Sequence, residues 1–355
     1  MNYDVIICGG GPAGSVCAAF CAAGGLKTLV LEKAIFPRDK VCGDCINPSC
    51  WPVLERLQIA DSVLALSHSK LSEVEFVGIN GRSIKYPLHP SERGEIAVKR
   101  SVFDELLLRR AIECGAEVRQ DTTVTAVERG WKVHAGGEVF TARNLVAADG
   151  RNSTVMRLLG LLPAAARERV AIQTHIPAPR NFGDRVVLHF LKEGYAGYSA
   201  VGEGNVNLCL VSKPAGIRAL KTWAESRFEI EPQQDWRTIT PLARDPVPAS
   251  AENLLLAGDA ARVVEPFTGE GIYYAIASGE LAATYLCKQL PLQNYRREHA
   301  GLYAGRLWVN RISKAAALHP RIASLVLDAM RFYPPSLRFL TSKVVGPALL
   351  LNANS

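Results

Sequence analysis

The sequence predicts a mixed α/β fold, in which a Rossmann-like parallel sheet carries an inserted antiparallel β-sheet and the chain ends in C-terminal helices. Apolar runs break at glycine turns and continue as helices at the N-terminal end and again near residue 258, which is the pattern of β-α units. From about 167 to 236 the pattern changes to short alternating runs between Pro, Gly and Asn turns, which is typical of an antiparallel sheet. With 355 residues, 48% of them hydrophobic, the chain can bury two joined cores.

The N-terminal end has the pattern of a strand, a glycine turn and a helix. The apolar run Asp4–Cys8 is followed at once by GGGPAG at 9–14 and then by small, helix-compatible residues. In this fingerprint Gly9 permits a tight turn, Gly11 lets the backbone approach a pyrophosphate, and Gly14 lets the helix pack closely on its strand. The amino end of the helix then presents free N–H groups and a favourable dipole to the phosphates.

A second strand completes a βαβ unit. The apolar run Lys27–Leu31 ends at Glu32, which follows Gly14 by roughly 20 residues, where a ribose-binding carboxylate belongs. Lys33 comes directly after it. This order and spacing of strand, glycine turn, helix and acidic residue indicate a dinucleotide-binding site, although they do not identify the dinucleotide.

The far end of the chain distinguishes FAD from NAD. The apolar run at 253–257 breaks at Gly258-Asp259, and PFTGEG at 266–271 starts a long small-residue helix that is predicted to reach about Leu290. These motifs resemble the FAD-dependent family of geranylgeranyl reductases, which shares its fold with aromatic hydroxylases of the p-hydroxybenzoate hydroxylase type and with flavin halogenases. The resemblance covers most of the chain and implies that the cofactor is FAD.

The resemblance assigns roles to individual residues. Asp259 is implied to hold the ribityl or phosphate end of FAD, and the helix that starts near Gly269 is implied to aim its N–H groups at the pyrimidine edge of the flavin. The family arginine that reaches FAD on its phosphate side matches Arg100, and the Asp-Gly motif matches Asp149-Gly150. The predicted cofactor-binding residues are Gly9, Gly11, Ala13, Gly14, Glu32, Lys33, Arg100, Asp149, Gly258, Asp259, Gly269, Gly271 and Ile272.

Two residues are candidates for the catalytic centre, where the flavin itself is the reactive group. The loop KVCGDC at 40–45 resembles the Lys-x-Cys-Gly segment that the reductase family places beside the isoalloxazine. Cys42 therefore either tunes the flavin or donates a proton, or else only packs against the ring. Pro266, by the same analogy, lies at the oxygen-reactive edge. Cys42 and Cys45 also have the spacing of a redox dithiol or a metal pair, but no second pair completes a metal site, so no metal is expected.

The resemblance and the change of pattern together predict three regions. The FAD-binding domain is discontinuous, because the strands of the substrate sheet are inserted between its parts. The predicted boundaries are 1–70, 95–165 and 245–290 for the FAD-binding domain, 71–94 and 166–244 for the substrate-binding β-sheet domain, and 291–355 for the C-terminal helical region.

The substrate sheet departs from the family that the cofactor motifs resemble. Prenyl reductases carry a Tyr-x-Trp-x-Phe-Pro segment, whereas the matching stretch 194–201 reads GYAGYSAV, so that the Trp and the Phe-Pro are missing. The Trp-x-Trp-x-Ile-Pro motif of halogenases is missing as well, which argues against halogenation. The cofactor motifs therefore transfer to this chain, while the substrate of geranylgeranyl reductases does not.

Three functions are compatible with these motifs. The one we favour is a monooxygenase that hydroxylates a hydrophobic aromatic or lipid-like substrate, using NAD(P)H and dioxygen through a flavin hydroperoxide. The alternative is an ene reductase that saturates C=C bonds of a prenyl or lipid substrate. The third is a binding or escort module without catalysis, against which the intact FAD motifs argue. Since the middle third holds no second glycine fingerprint, NAD(P)H is expected to visit transiently, or a separate flavin or electron-donor reductase supplies the electrons.

The formal net charge of +7 is concentrated near the C-terminal end, where basic and apolar residues alternate at helical spacing. Such basic amphipathic helices are either a solvated face or a surface for peripheral membrane contact or an anionic ligand, and no nucleic-acid-binding motif accompanies them. With an odd number of scattered cysteines, no signal-peptide pattern and no long apolar run, we expect a cytoplasmic protein, peripheral at a membrane if the basic helices bind one. The basic residues are Arg296, Arg297, Arg306, Arg311, Lys314, Arg321, Arg331, Arg338 and Lys343.

Overall fold

The structure is a computed structural model that describes residues 2–88, 93–166 and 169–330. The strands are β1 Asn2–Cys8, β2 Thr28–Leu31, β3 Cys45–Ile46, β4 Ser69–Leu71, β5 Glu73–Val77, β6 Ser83–Pro87, β7 Glu95–Ala97, β8 Glu117–Arg119, β9 Val124–Glu128, β10 Lys132–Ala135, β11 Glu138–Ala147, β12 Ala165–Ala166, β13 Val170–Pro177, β14 Arg185–Leu191, β15 Gly194–Ala200, β16 Asn205–Ser212, β17 Arg237–Ile239, β18 Ala243–Arg244, β19 Ser250–Ala251 and β20 Leu254–Leu256. The helices are α1 Pro12–Ala23, α2 Trp51–Arg56, α3 Ala60–Ala65, α4 Arg100–Glu113, α5 Thr154–Leu158, α6 Ile217–Phe228, α7 Gly271–Cys287, α8 Leu292–Gly301, α9 Leu307–Leu318 and α10 Pro320–Met330, with 3-10 turns at Pro48–Cys50, Pro214–Gly216, Gly258–Ala260 and Pro266–Thr268.

The first sheet has a parallel centre and runs in the order β19-β20-β11-β1-β2-β8, with β10 added antiparallel to β11 and β9 antiparallel to β10. Strand β1 pairs in parallel with β2 on one side and β11 on the other, so that Ile7 is in register with Val30 and Val146. Both faces of the sheet are covered, and Val5 and Ile6 are fully buried, which is why this strand reads as a continuous apolar run. The predicted Rossmann-like unit is confirmed.

Close helix packing brings the amino ends of α1 and α7 together. Helix α1 packs against both α4 and α7. A Cβ on Gly279 of α7 would lie 2.3 Å from the carbonyl oxygen of Ala13 on α1, so no larger residue fits there. Ala13 and Ala275 in turn lie next to the turn at Gly258. The three glycine motifs found in the sequence therefore meet at one edge of the parallel sheet.

The second sheet runs in the order β17-β13-β16-β15-β14-β5-β6. Its pairs are antiparallel, as predicted, except that β14 and β5 run parallel. Strands β13 to β16 lie within the region from about 167 to 236 that was predicted to form short antiparallel strands. One face of this sheet is covered by α6, and the other face looks toward the FAD-binding motifs.

Helix α6 is the main element that the sequence analysis did not predict. It follows the four strands and buries Leu220 and Ala224 against Val206 and Leu208 of the sheet. Its apolar residues do recur at helical spacing, so the signal was present in a region interpreted only as strands. The helix closes the outer face of the sheet and leaves the inner face for the site.

After α7, the chain up to residue 330 forms three more helices, α8 to α10. Three of the nine basic residues counted in the sequence, Arg331, Arg338 and Lys343, lie outside the described residues. Within the described ranges, no helix combines the length and apolarity that crossing a bilayer requires.

Candidate functional site

A large cleft lies between the carboxyl edge of the parallel sheet and the inner face of the second sheet. It encloses about 1430 Å³, including the part that is open to solvent. Its walls contain the turn at Gly11, the loop of Cys42, the Gly258-Asp259 turn and the start of α7, together with residues of β13 to β16. Ligands of open α/β sheets bind at the carboxyl ends of the strands, which is where this cleft lies.

The glycine turn after β1 is shaped for a phosphate. Gly9 has a φ of +104°, and a Cβ on Gly14 would lie 1.8 Å from the Gly9 carbonyl oxygen, so both positions require glycine. Gly11 precedes α1 in an extended conformation, and the space beside it is open except for the guanidinium of Arg38. Ala13 also lines the cleft. The free N–H groups of the first turn of α1 therefore face the cleft, as a diphosphate requires.

Glu32 is buried at the end of β2. Its carboxylate accepts hydrogen bonds from the backbone N–H groups of Gly10, at 2.7 Å, and Ala34, at 2.9 Å. These two bonds fix the carboxylate beside the glycine turn and leave lone pairs for a ribose hydroxyl. Lys33, the other predicted contact at this point, is exposed and does not line the cleft.

Two arginines share one carboxylate next to the glycine turn. Arg100 makes a bidentate pair with Asp104, at 2.6 and 2.7 Å, and Arg38 lies 3.2 Å from the same carboxylate. Asp104 is fully buried, and it raises the pKa of Arg100 in spite of the burial of that guanidinium. One negative charge against two positive charges leaves a net cation beside Gly11, which fits an anionic diphosphate. Arg38 was not identified from the sequence.

The Gly258-Asp259 turn and the Asp-Gly motif approach one another across the cleft. Arg151 donates to the Asp259 carboxylate at 2.9 and 3.2 Å. Lys40 also lines the cleft, and burial, with the nearby Arg100, lowers its pKa to about 8. Asp259 thus lies among cations at the position where the resemblance places the ribityl or phosphate end of FAD.

Asp149 lies one residue before the part of the Asp-Gly motif that lines the cleft. Its carboxylate accepts the backbone N–H groups of Thr154, at 2.6 Å, and Val155, at 3.1 Å, at the start of α5. The cleft is lined by the next two residues, Gly150 and Arg151, and not by Asp149. Asp149 therefore holds the loop in place, and direct contact with the cofactor stays a prediction.

The amino end of α7 opens onto the cleft. Gly269, Gly271 and Ile272 all line it, and Gly271 is exposed there. The helix has 17 residues, so its dipole favours negative charge at this end. Pro266 is exposed at the cleft, and its neighbour Phe267 is buried against aromatic residues of the second sheet.

The loop of Cys42 is fastened to the second sheet through its backbone. The Cys42 carbonyl oxygen accepts bonds from Asn207 Nδ2, at 2.8 Å, and from the Cys209 thiol, at 3.3 Å, and its N–H donates to Gln173 Oε1. The positive charge of the nearby Arg100 guanidinium acts to lower the pKa of Cys42. Burial nevertheless raises the pKa of Cys42, so the side chain is a neutral thiol at physiological pH.

Cys45, the second residue of the possible dithiol, is also a free thiol that lines the cleft. Its sulfur donates to the Gly43 carbonyl oxygen at 3.2 Å, and burial raises its pKa well above the usual range. Between the two cysteines, Asp44 is fully buried and bonds His175 Nε2 at 2.8 Å. This pair connects the Cys42 loop to β13. It was not identified from the sequence.

These residues fit FAD, with Gly11 and Asp259 in the cleft and Glu32 and Arg38 beside the glycine turn at its end. Glu32 would hold a ribose, Gly11 and Arg38 would hold the diphosphate, and Asp259 would hold the ribityl chain. The reactive end would lie between the Cys42 loop and the start of α7. The remaining wall is apolar and leaves room for a hydrophobic substrate.

Comparison with known proteins gives the same cofactor. Residues 2–193 match the family model described as "FAD binding domain". The chain is 32% identical to the menaquinone reductase of Mycolicibacterium smegmatis, over 79% of this chain and 75% of that protein. It is 31% identical to the geranylgeranyl diphosphate reductase of Rhodobacter capsulatus, over 80% of this chain and 74% of that protein.

Among solved structures, a flavin-dependent brominase superimposes with a TM-score of 0.78 and covers 96% of this chain and 93% of its own. At 21% identity this likeness shows a shared fold only.

Proposed function

Because the chain belongs to the FAD-binding-domain family that includes geranylgeranyl reductases, and is an FAD-dependent oxidoreductase, we propose that it saturates a carbon–carbon double bond in the isoprenoid chain of a lipid. The observation that carries this proposal is a neutral thiol, Cys42, on a cleft whose outer wall is apolar. The two relatives named above support the substrate class. From the sequence alone, hydroxylation was favoured and double-bond reduction was the alternative; here double-bond reduction is favoured.

Saturating a double bond requires a hydride on one carbon and a proton on the other. Reduced FAD, replenished by NAD(P)H directly or through a separate reductase, supplies the hydride. Cys42 supplies the proton, because its thiol is protonated at neutral pH and lines the cleft. The thiolate left behind is stabilised by the Arg100 guanidinium and the backbone N–H of Asp44, and solvent protonates it again.

The apolar wall positions the chain of the substrate and excludes water. Leu188 and Val211 of the second sheet line the cleft with Leu242, and Phe267 approaches Tyr195 with ring centroids 5.3 Å apart. No charged side chain lies on this wall among the described residues that line the cleft on β14 to β16. Such a surface favours an isoprenoid chain over a polar metabolite.

Hydroxylation of a hydrophobic aromatic or lipid-like substrate is the second candidate. One observation favours it: β15 lacks the Trp and the Phe-Pro of the prenyl reductases. Oxygen dependence separates the two reactions. We expect NAD(P)H oxidation that depends on an isoprenoid lipid to proceed equally well without oxygen, whereas a strict requirement for oxygen would support hydroxylation instead.

We also propose that the protein reaches its substrate at a membrane surface through α10. Ser324 of α10 bonds the backbone N–H of Ile79, so the opposite face of the helix is turned outward. There, Ile322 and Leu325 are 60% and 69% exposed, and Arg321 beside them is exposed as well. An apolar surface flanked by cations is the arrangement that binds anionic bilayers.

A further inference from the structure

The central strand of the second sheet contains two glycines, Gly194 and Gly197, whose surroundings differ. A Cβ on Gly194 would lie 2.1 Å from the Val211 carbonyl oxygen, so the fold requires glycine there. A Cβ on Gly197 would meet only Leu188 Cδ2, at 3.5 Å, which is an ordinary contact. The fold has no steric reason for a glycine at 197.

The backbone of β15 gives no reason for this glycine either. Gly197 is not among the residues with a positive φ, and its pairing with Leu188 on β14 and Cys209 on β16 continues without a bulge. A glycine in the interior of a regular strand weakens it, and where no bulge or bend requires one it marks a place where a ligand approaches the backbone closely. Gly197 lines the cleft, which agrees with that explanation.

Two of the positions next to Gly197 on the same face are also small: Ser199 on β15 and Cys209, which lies across from Gly197 on β16. The other two neighbours, Tyr195 on β15 and Leu188 on β14, are large and bound the bare area over Gly197. Two residues along a strand span about 6.8 Å, and the neighbouring strand is about 4.8 Å away. Because Gly197 has no side chain, the flat peptide surface of β15 faces the cleft there, and a planar ring can lie on it more closely than a branched isoprenoid chain can.

The bare area adjoins the proposed reaction centre. Asn207 and Cys209 bond the Cys42 carbonyl oxygen, so the Cys42 loop lies directly over β16, beside Gly197. The polar groups here are small, and the Ser199 hydroxyl contacts the Cys45 thiol. Beyond them, the wall at Leu188 and Tyr195 is apolar.

We infer that Gly197 is a specificity-determining residue, on whose bare backbone the ring of a prenylated quinone or similar ring-bearing isoprenoid lies flat, next to Cys42. The ring occupies the space over Gly197, and the isoprenoid tail follows the apolar wall. This inference rests on the proposed function for its substrate class, and it adds the residue that selects a ring over a plain chain.

Three variants of the full-length FAD-loaded protein test this inference. Gly197→Ala adds only a methyl group, Gly197→Phe fills the bare area, and Val139→Phe adds the same ring at a residue of β11 that is 49% exposed. Binding to the oxidised protein is measured through the change in flavin absorbance. The probes are tetraprenyl menaquinone, which carries a ring, and geranylgeraniol, which does not, each in the same non-ionic detergent.

We expect Gly197→Phe to raise the Kd of tetraprenyl menaquinone by about tenfold or more, and that of geranylgeraniol by less than about threefold. Gly197→Ala gives a smaller rise and a melting temperature no lower than that of the unmodified protein, because alanine fits the strand. Val139→Phe changes neither Kd.

Equal losses for both probes in Gly197→Phe, no loss for the quinone, or an unmodified protein that prefers geranylgeraniol would each overturn the inference. Flavin content and melting temperature show whether a variant is folded, and a misfolded Gly197→Phe leaves Gly197→Ala as the deciding variant. Selective quinone binding without reduction of any double bond would contradict the proposed function and leave the role of Gly197 intact.

Discussion

Cys42 and Arg100 form the contact on which the proposed proton transfer depends. Burial keeps the thiol protonated, while the guanidinium next to it stabilises the thiolate that remains after the proton has left. A proton donor must be protonated before each turnover. Activity should therefore be constant through neutral pH and fall as the pH rises through the raised pKa, above the ordinary thiol value of 9.0.

Replacing the thiol tests this role. Cys42→Ser should lower kcat by about 10² to 10⁴-fold, the usual contribution of general acid catalysis, and abolish the alkaline decline. Steady-state kinetics across pH provide the measurement, with FAD content as the check on folding. Cys114→Ser, a half-buried cysteine at the end of α4, is the matched control. A Cys42→Ser enzyme with full activity would remove Cys42 from the mechanism.

Arg38 is the more exposed arginine of the Arg38–Asp104–Arg100 cluster, and its guanidinium lies next to Gly11. Arg38→Ala should weaken FAD binding by roughly 10 to 100-fold, because a charge-assisted hydrogen bond contributes about 1.5–3 kcal/mol. Titration of the apoprotein with FAD measures this. Arg109→Ala, an exposed arginine on the same helix as Arg100, should have no effect. Unchanged FAD affinity in Arg38→Ala would show that the diphosphate lies elsewhere.

At the scale of elements, a buried ion pair fastens the turn before α7 to the second sheet. Arg169, at the start of β13, makes a bidentate pair with Glu265, which directly precedes Pro266, and both side chains are at most 4% exposed. The pair therefore holds the turn before α7 against the second sheet. Neither residue was identified from the sequence, because they are 96 residues apart and belong to no local motif.

Glu265→Gln should lower the free energy of unfolding by about 3–5 kcal/mol, because the arginine keeps its buried charge without a counter-charge. Glu252→Gln is the control, since Glu252 pairs with Arg129 at the surface and should contribute less than about 1 kcal/mol. Denaturant titration of the FAD-loaded proteins measures both values. Equal, small effects would show that other contacts hold the turn before α7 against the second sheet.

The outward face of α10 is expected to bind membranes. The double variant Ile322→Glu/Leu325→Glu should reduce co-sedimentation with phosphatidylglycerol vesicles by about tenfold, because it replaces apolar contact area with negative charge. Val139→Glu, exposed on a different part of the chain, is the control. If the unmodified protein does not sediment with these vesicles, the membrane proposal is wrong.

At the scale of the whole molecule, the glycine motifs and Glu32 were predictable because each is a local pattern with a fixed spacing. The strand before Gly258 and the helix after it were predictable for the same reason. Two pairs of residues, Asp44–His175 and Arg169–Glu265, could not be predicted. Their members are far apart in sequence and meet only when the Cys42 loop and the turn before α7 pack against the second sheet. The role inferred for Gly197 also needed the structure, because the sequence does not show which atoms surround a glycine in a strand or whether it lines a cleft.

The cleft combines features of two reaction types, and the product distinguishes them. The most direct measurement is mass spectrometry of an isoprenoid lipid, tetraprenyl menaquinone or geranylgeranyl diphosphate, after incubation with the FAD-loaded protein and NADPH under strictly anaerobic conditions. The account predicts a product that has gained two hydrogen atoms, and its loss in Cys42→Ser. A product that gains one oxygen atom, and forms only when oxygen is admitted, would contradict it.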